Sequence, residues 1–577
     1  MRGAGALGSG STVARLPAVT ITRREGVVAG VAAVAIVACY WLLALSRGAI
    51  GALRNDDWVY ARALYRLVDT GVFAPEFSMA SLLGQLVLAA PVAAVFGHSM
   101  VALQALTALV SAWGLLASYL LVRTFLQRLV AIVVVGALAV GPLYSALAIS
   151  FMSDPYMYAL SVTCLLLGQR AVAHSRTGYV WLAASLAVGF WAFSVREFGL
   201  AAPAVVVAVY AYQRLRRRSY GQLGIALAAG LVVLVAAVAF LLWRRALPGT
   251  MVQGVGVAWP TSYAVTMLTR SAVTLGLFLA PVAALASPRG ALAVLKRLWW
   301  VPALVVVALT GLAWFTTTTF KPLPNYVTTT FPYGETVAGT APSVTPTRLY
   351  QAQELLGLAV ALVAVAILVT AIVTIRARRQ DQAPETPTSA GFQLTAAFAV
   401  AYTVGLLAVQ GYTGALLFDR YFLPSIVPAA ATIAYCAVRA GLVTATMRRI
   451  AVVGLVVFGL LGLWTTDLAN LDDGVKNRMA ATWTAKGYAP STIDAGYEWF
   501  GYYNPNPFGL RKTAPEEPWY WGLFPPTTTC VRISYDDGST LTTERVVDRI
   551  TAKTLIGREV AYRVTVPTVT PAGCPRS

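Results

Sequence analysis

Apolar runs of about 20 residues recur along the chain, divided by short polar loops, and that length matches a bilayer core of about 30 Å spanned at about 1.5 Å per helical residue. We count thirteen such runs, centred near residues 36, 111, 139, 163, 187, 206, 232, 275, 307, 363, 401, 430 and 457. Arg196 and Glu197 interrupt the stretch that holds the fourth to sixth. Composition agrees with lipid as the main solvent. Of 577 residues 58% are hydrophobic and 12% charged, with mean hydropathy +0.68, whereas soluble domains carry roughly 25% charged residues. The expected fold is an all-α polytopic membrane bundle.

The net charge of +20 (44 Lys+Arg, 24 Asp+Glu) invites a nucleic-acid or membrane-surface reading until the arginines are placed. With the N-terminus in the cytoplasm, the cytoplasmic loops carry Arg123 and Arg128; Arg170 and Arg176; Arg214, Arg216, Arg217 and Arg218; Arg289, Lys296 and Arg297; Arg376, Arg378 and Arg379; Arg439, Arg448 and Arg449. This unbroken alternation is the positive-inside pattern of a plasma-membrane protein. Nucleic acid is not required as a partner; membrane lipids are. The expected domains are a basic cytoplasmic leader (1–25), a transmembrane bundle (26–466) with a first outer loop at 47–99, and an extracytoplasmic C-terminal domain (467–577). The first run starts near Gly26 without a small-residue cleavage site and reads as a retained anchor. The GxGxxG match at Gly3–Gly8 lacks a preceding strand, and Cys574-Pro575-Arg576-Ser577 lacks the aliphatic residues of a prenylation box.

Charge near a span is costly, roughly 2.5 to 3.5 kcal/mol at its centre, so the outer charges are the informative ones. The first outer loop reads Arg54-Asn55-Asp56-Asp57-Trp58-Val59-Tyr60. Asp is a favoured helix N-cap, which is the bland reading of the pair. However, a helical pattern over Val59–Val72 and an apolar segment over Phe77–Phe96 follow, an elaborate arrangement for a connector. The second outer loop brings Ser153-Asp154-Pro155, a cap, a functional acid, or both. Arg196 and Glu197 follow, then Arg244 and Arg245, Lys321, and Asp419-Arg420-Tyr421. Singly these arginines are explained by snorkelling; as a set they ring one cavity with cations.

This order of features resembles the membrane-embedded GT-C glycosyltransferases, in the branch of protein O-mannosyltransferases and lipid A aminoarabinose transferases. The resemblance implies an inverting transferase that moves a sugar from a polyprenyl-phosphate carrier to an acceptor on a glycan, lipid or protein at the outer face. It implies a catalytic group of Asp56, Asp57 and Asp154, with Asp56 as base, and donor-phosphate ligands Arg196 and Arg420, with Arg244, Arg245 and Lys321 behind them. Trp58, Tyr60, Tyr326, Tyr333 and Tyr421 would contact donor or acceptor. No cofactor is fixed by the resemblance; a divalent cation is left open, with Glu76 and His98 as its candidate ligands. The Thr/Pro-rich loop from Thr316 to Tyr350 is too long for a simple connector and reads as a lid over the lipid-phosphate site or as a mobile loop. Two rival functions remain: a transporter or flippase for a lipid-linked sugar, against which no internal repeat is visible, and a non-catalytic cell-envelope scaffold. The bias of arginine over lysine points to GC-rich bacterial coding, with mannose or arabinose as candidate sugars.

The tail is aromatic around Tyr497–Tyr503 and Trp519–Trp521, which reads first as the core of a small domain and otherwise as a glycan surface. We expect helix first and strands later, with a hairpin of Val531–Tyr535 and Thr540–Val547 about Asp536-Asp537-Gly538. Cys39, Cys164 and Cys436 lie in apolar runs. Cys530 and Cys574 bracket the strand region in an oxidising compartment and are expected to pair.

Overall fold

The computed structural model describes residues 21–74, 81–174, 177–247, 258–287, 322–326, 347–378, 387–504, 517–536 and 543–575. The run expected near 307, most of the 316–350 loop, Glu76, Lys321 and Tyr333 lie outside the described residues. In chain order the helices are α1 (Arg23–Ser46), α2 (Asp57–Thr70), α3 (Leu83–Phe96), α4 (Met100–Arg123), α5 (Arg128–Ala139), α6 (Pro142–Leu147), α7 (Ser153–Ala173) and α8 (Gly178–Val195). They continue with α9 (Ala201–Arg216), α10 (Tyr220–Arg245), α11 (Thr261–Ala283), α12 (Thr347–Arg378), α13 (Pro387–Thr413), α14 (Leu423–Arg439), α15 (Ala445–Ala485) and α16 (Tyr497–Tyr503).

Among the described residues ten helices are long and apolar enough to cross a membrane, and they coincide with ten of the thirteen expected runs. Two others differ for identifiable reasons. The run near 139 is broken into α5 and α6 at Gly141-Pro142, because proline has no N–H to continue the first helix and clashes with its preceding turn. The run near 163 is helix α7, but buried Ser153, Asp154, Ser161 and Gln169 make it too polar to count with the ten; it faces protein rather than lipid. Helix α10 is the opposite case. Only Ala226 and Ala237 are buried on it, while Leu231, Val232, Leu234 and Val235 are exposed, as a helix bathed in acyl chains requires. Without water between them, such helices associate through close backbone approach at small residues. Gly276 of α11 and Gly357 of α12 meet this way, each standing where the other's backbone leaves no room for a Cβ.

Helix α15 runs unbroken for 41 residues, about 60 Å at 1.5 Å per residue, roughly twice the thickness of a bilayer core. Its first half exposes Val453, Val456, Val457 and Leu460; from Thr466 to Val475 it is buried and carries Asp467, Asn470, Asp472 and Asp473. It therefore carries the chain out of the bundle and becomes the floor of the tail. Leu468, Leu471, Val475, Met479 and Trp483 form a second core with Ile493, Val531, Ile533, Tyr562 and Val564.

The tail sheet has strands β1 (Ile493–Asp494), β2 (Val531–Tyr535), β3 (Glu544–Lys553) and β4 (Glu559–Pro567) in the order β1-β2-β4-β3. This corrects the expected hairpin of Val531–Tyr535 with the strand after Asp536-Asp537-Gly538. β2 pairs antiparallel with β4 (Ile533 opposite Val564), and β4 separates it from β3. Burial explains the order: β4 is buried from Ala561-adjacent Tyr562 to Val566 and belongs in the centre, whereas β3 is mostly exposed and suits an edge. The true hairpin is β3–β4, turned through Gly557 at φ 78°. Cys530 and Cys574 are joined by a disulfide, Cα atoms 5.6 Å apart.

Candidate active site

The site starts in the turn after α1. Asn55 adopts φ 50°, a left-handed conformation that Asn tolerates because its short polar side chain bonds locally. Here its Nδ2 donates to Asn325 Oδ1 and Tyr326 Oη, both at 3.1 Å. The two aspartates after it have separate environments. Asp57, fully buried, accepts the Arg54 backbone N–H at 2.7 Å on Oδ1 and the Ser150 hydroxyl at 3.4 Å on Oδ2. Its carboxyl closes the turn, and burial pushes its pKa well above the ordinary range, opposed in part by Arg54. Asp56 occupies the N-cap position of α2 but makes no capping bond. Its Oδ2 accepts Arg420 Nη2 at 2.7 Å and its Oδ1 accepts the Tyr497 hydroxyl at 3.2 Å.

Arg420 sits in a short 3-10 turn, Asp419–Phe422, that opens α14. Asp419 fixes this turn to the 322–326 segment by accepting the Tyr326 N–H at 2.6 Å. Arg420 is 4% exposed, and its Nε and Nη1 have no hydrogen-bond partner among the described residues. Nε carries one N–H and Nη1 two, so three donors of this guanidinium, which has almost no water access, have no acceptor among the described residues. Leaving a buried charged donor unsatisfied costs more than the roughly 1–3 kcal/mol of a neutral group, so an anion would be favourably placed beside it.

The third acid belongs to a parallel arrangement. Asp154, in the first turn of α7 and fully buried, accepts Arg196 Nη1 at 2.5 Å on Oδ1. Its Oδ2 has no hydrogen-bond partner among the described residues. Arg196 caps the end of α8 and lies 4.3 Å from the Tyr421 ring centroid; Arg420 lies 5.6 Å from the same ring. Tyr421 therefore links the two ion pairs, its own backbone carbonyl held by the Tyr402 hydroxyl at 2.7 Å. Tyr60, 1% exposed, completes the wall from α2; burial and the charge of Asp56 raise its pKa. Asp56, Asp154, Arg196, Arg420, Tyr60, Tyr326 and Tyr421 are thus brought together.

Other candidates lie elsewhere. Arg244 pairs with Glu197, which also accepts the Ser81 hydroxyl at 2.9 Å, one residue from Arg196. Arg245 is exposed. Trp58 faces the tail: its ring is 5.7 Å from that of Tyr497, and it packs against Gly501 so closely that a Cβ there would clash. His98 binds Asp69 at 3.0 Å and stacks on Tyr65 at 4.1 Å; no cluster of three metal-binding side chains occurs among the described residues. Asn55, Asn325, Asp419 and Tyr402 hold the site without having been singled out individually from sequence, and Tyr497 is 441 residues from its partner Asp56, a distance no local pattern reports.

No protein-family model matches the sequence, and no curated protein matches it. Solved structures to which the chain is similar include ArnT from Cupriavidus metallidurans bound to undecaprenyl phosphate, 16% identical over 96% of this chain and 100% of that one, TM-score 0.40. The same protein in the apo state is 16% identical over 94% and 98% of the two chains, TM-score 0.41. The archaeal oligosaccharyltransferase AglB from Archaeoglobus fulgidus, in complex with an inhibitory peptide and a dolichol-phosphate, is 14% identical over 84% of this chain and 61% of that one, TM-score 0.35.

Proposed function

We propose that the protein is an inverting glycosyltransferase that takes a sugar from a polyprenyl-phosphate carrier and places it on an acceptor hydroxyl at the outer face of the membrane. The observation that carries this reading is the pairing of a carboxylate with an unsaturated guanidinium: Asp56 bound to Arg420, whose Nε and Nη1 are buried without acceptors among the described residues. Arg196, fixed by Asp154, supplies a second cation across Tyr421. Phosphate oxygens suit guanidinium forks, and a lipid phosphate is both the donor's anchor and its leaving group.

In the reaction the acceptor oxygen attacks the anomeric carbon while the bond from that carbon to the phosphate oxygen breaks. The acceptor proton passes to Asp56, and the electron pair stays on the lipid phosphate, whose growing negative charge Arg420 and Arg196 stabilise. Asp154 and Tyr421 position Arg196. Asp57 shapes the turn that presents Asp56. The alternation of basic loops supports a site on the outer side.

The test is transfer of radiolabelled sugar from polyprenyl-phosphate donors to envelope extract by the purified protein. Asp56→Asn is expected to lower turnover by about 10² or more, as for loss of a general base. Arg420→Gln is expected to weaken donor use similarly, with both variants monodisperse in detergent. Full activity in Asp56→Asn would remove the assigned base; donor binding without turnover in the wild type would favour a transporter.

A further inference from the structure

The tail holds a cavity that the transfer site does not use. It has a volume of about 270 Å³ and lies between β2, β3, β4 and the segment before β2, near the lower end of the roughly 300–1,000 Å³ of small-molecule sites. Its lining residues include Trp521, Arg532, Glu517, Glu544, Thr529 and Thr565, and the Arg532 guanidinium lies 5.9 Å from the centroid of the Trp521 ring. These groups are held in place. Trp521 Nε1 donates to Asp494 Oδ2 at 3.0 Å and its ring stacks on Phe500 at 6.2 Å; Thr565 donates to Glu544 at 2.8 Å, and Arg532 reaches Glu544 at 3.5 Å. The Thr529 Oγ is buried and has no hydrogen-bond partner among the described residues.

An aromatic face beside planar polar groups and hydroxyls matches one chemical class well. A sugar ring offers an apolar C–H face to an indole, and adjacent hydroxyls that donate to carboxylates and accept from guanidinium and threonine. The guanidinium of Arg532 is already paired with Glu544 at 3.5 Å, which disfavours an anionic ligand. We infer that this cavity is a binding subsite for a neutral saccharide, one or two sugar rings in size. Fixed side chains reduce the ordering cost of binding, and an unsatisfied buried hydroxyl gains a partner when the ligand arrives.

The position suggests the ligand's role, which rests on the transferase reading. Trp521 contacts Phe500 of α16, and the same short helix carries Tyr497 to Asp56. A glycan held at Trp521 is therefore tethered one helix away from the proposed base, as an acceptor chain would be.

Saturation-transfer NMR on the full chain in detergent tests the binding, with a mannose disaccharide and an arabinose disaccharide as neutral probes and mannose 6-phosphate as the anionic comparison. Millimolar affinity, on the order of −4 kcal/mol, is expected for at least one neutral probe and not for the phosphate. Trp521→Ala should reduce the signal by about fivefold or more, the equivalent of about 1 kcal/mol. Thr529→Val, close in shape and safe for folding, should reduce it measurably. Asp56→Asn should leave it unchanged, so loss of transfer and loss of saccharide binding are read separately. No signal from either neutral probe, wild-type signal retained in both Trp521→Ala and Thr529→Val, or stronger binding of the phosphate would overturn the assignment.

Discussion

Adjacent aspartates in one turn perform different tasks because their side chains enter different surroundings. Asp57 spends its carboxyl on the Arg54 N–H and the Ser150 hydroxyl, whereas Asp56 leaves the N-cap role unfilled and binds Arg420 and Tyr497. The consequence is a difference between two substitutions at Asp57. Asn keeps an acceptor oxygen for the Arg54 N–H, so Asp57→Asn should retain transfer activity within a few-fold. Asp57→Ala removes the turn-closing bond and should cost about 1 kcal/mol of stability, as for loss of a capping residue, read as a lower apparent melting temperature in detergent. Equal loss of turnover in Asp56→Asn and Asp57→Asn would make Asp57 a partner in the chemistry. The sequence exposes this pair as unusual, since two carboxylates beside an apolar run are costly, but not which one faces the arginines. That choice depends on the left-handed Asn55 and on Arg420, 364 residues away in the chain.

At the scale of elements, legibility follows the strength of the local physical signal. A 20-residue apolar run has one stable outcome in lipid, since only a helix satisfies all its backbone groups internally, and ten of the expected runs meet helices of that kind. The breaks come where a local residue overrides the pattern, as Pro142 does between α5 and α6. Strand pairing carried no such signal: Asp536-Asp537-Gly538 looks like a turn, yet the more buried β4 takes the central place. Composition ends the apolar bundle near residue 466 but gives no sign that a single helix, α15, runs on unbroken through that point, although its glycines mark the crossing. Gly474 faces the backbone carbonyl of Arg47 with no room for a Cβ, while Gly454 on the same helix has open space around it. Gly474→Ala should therefore force α15 away from the turn that leads to Asp56, at about 1–3 kcal/mol for overpacking, and lower both the melting temperature and the transfer rate. Gly454→Ala should be neutral or stabilising by up to about 1 kcal/mol, through helix propensity. Identical melting curves for the two variants would mean that this crossing relaxes freely.

The molecule as a whole joins its membrane bundle to its tail through polar contacts around the loop after α1 and the helix α2 that follows it. Arg54 bonds Asn470 at 2.7 Å and approaches Asp473 at 3.3 Å; Arg47 bonds Asp467 at 2.5 Å; Arg62 donates to the Gly501 and Asn504 carbonyls at 3.2 and 3.1 Å. The same junction contains Glu498, whose pKa is pushed up to about 8, first by burial and then by Asp473 and Asp472, with Lys476 opposing. Between its ordinary value near 4.5 and about 8 the folded protein holds a proton that the unfolded chain has released. Stability must then fall as pH rises through that window, because the native state binds more protons. Asp57, raised by its own burial, adds a slope of the same sign. Glu498→Gln removes the first contribution and keeps the second, so its apparent melting temperature should decline less than that of the wild type between pH 5 and pH 8. Melting at pH 5, 6.5 and 8 in one detergent checks this, and parallel declines would show that Glu498 is ionised in the folded junction. Since α16 carries both Glu498 and Tyr497, the partner of Asp56, the pH at which the junction loosens is also where the transfer rate should begin to fall with the tail still covalently attached.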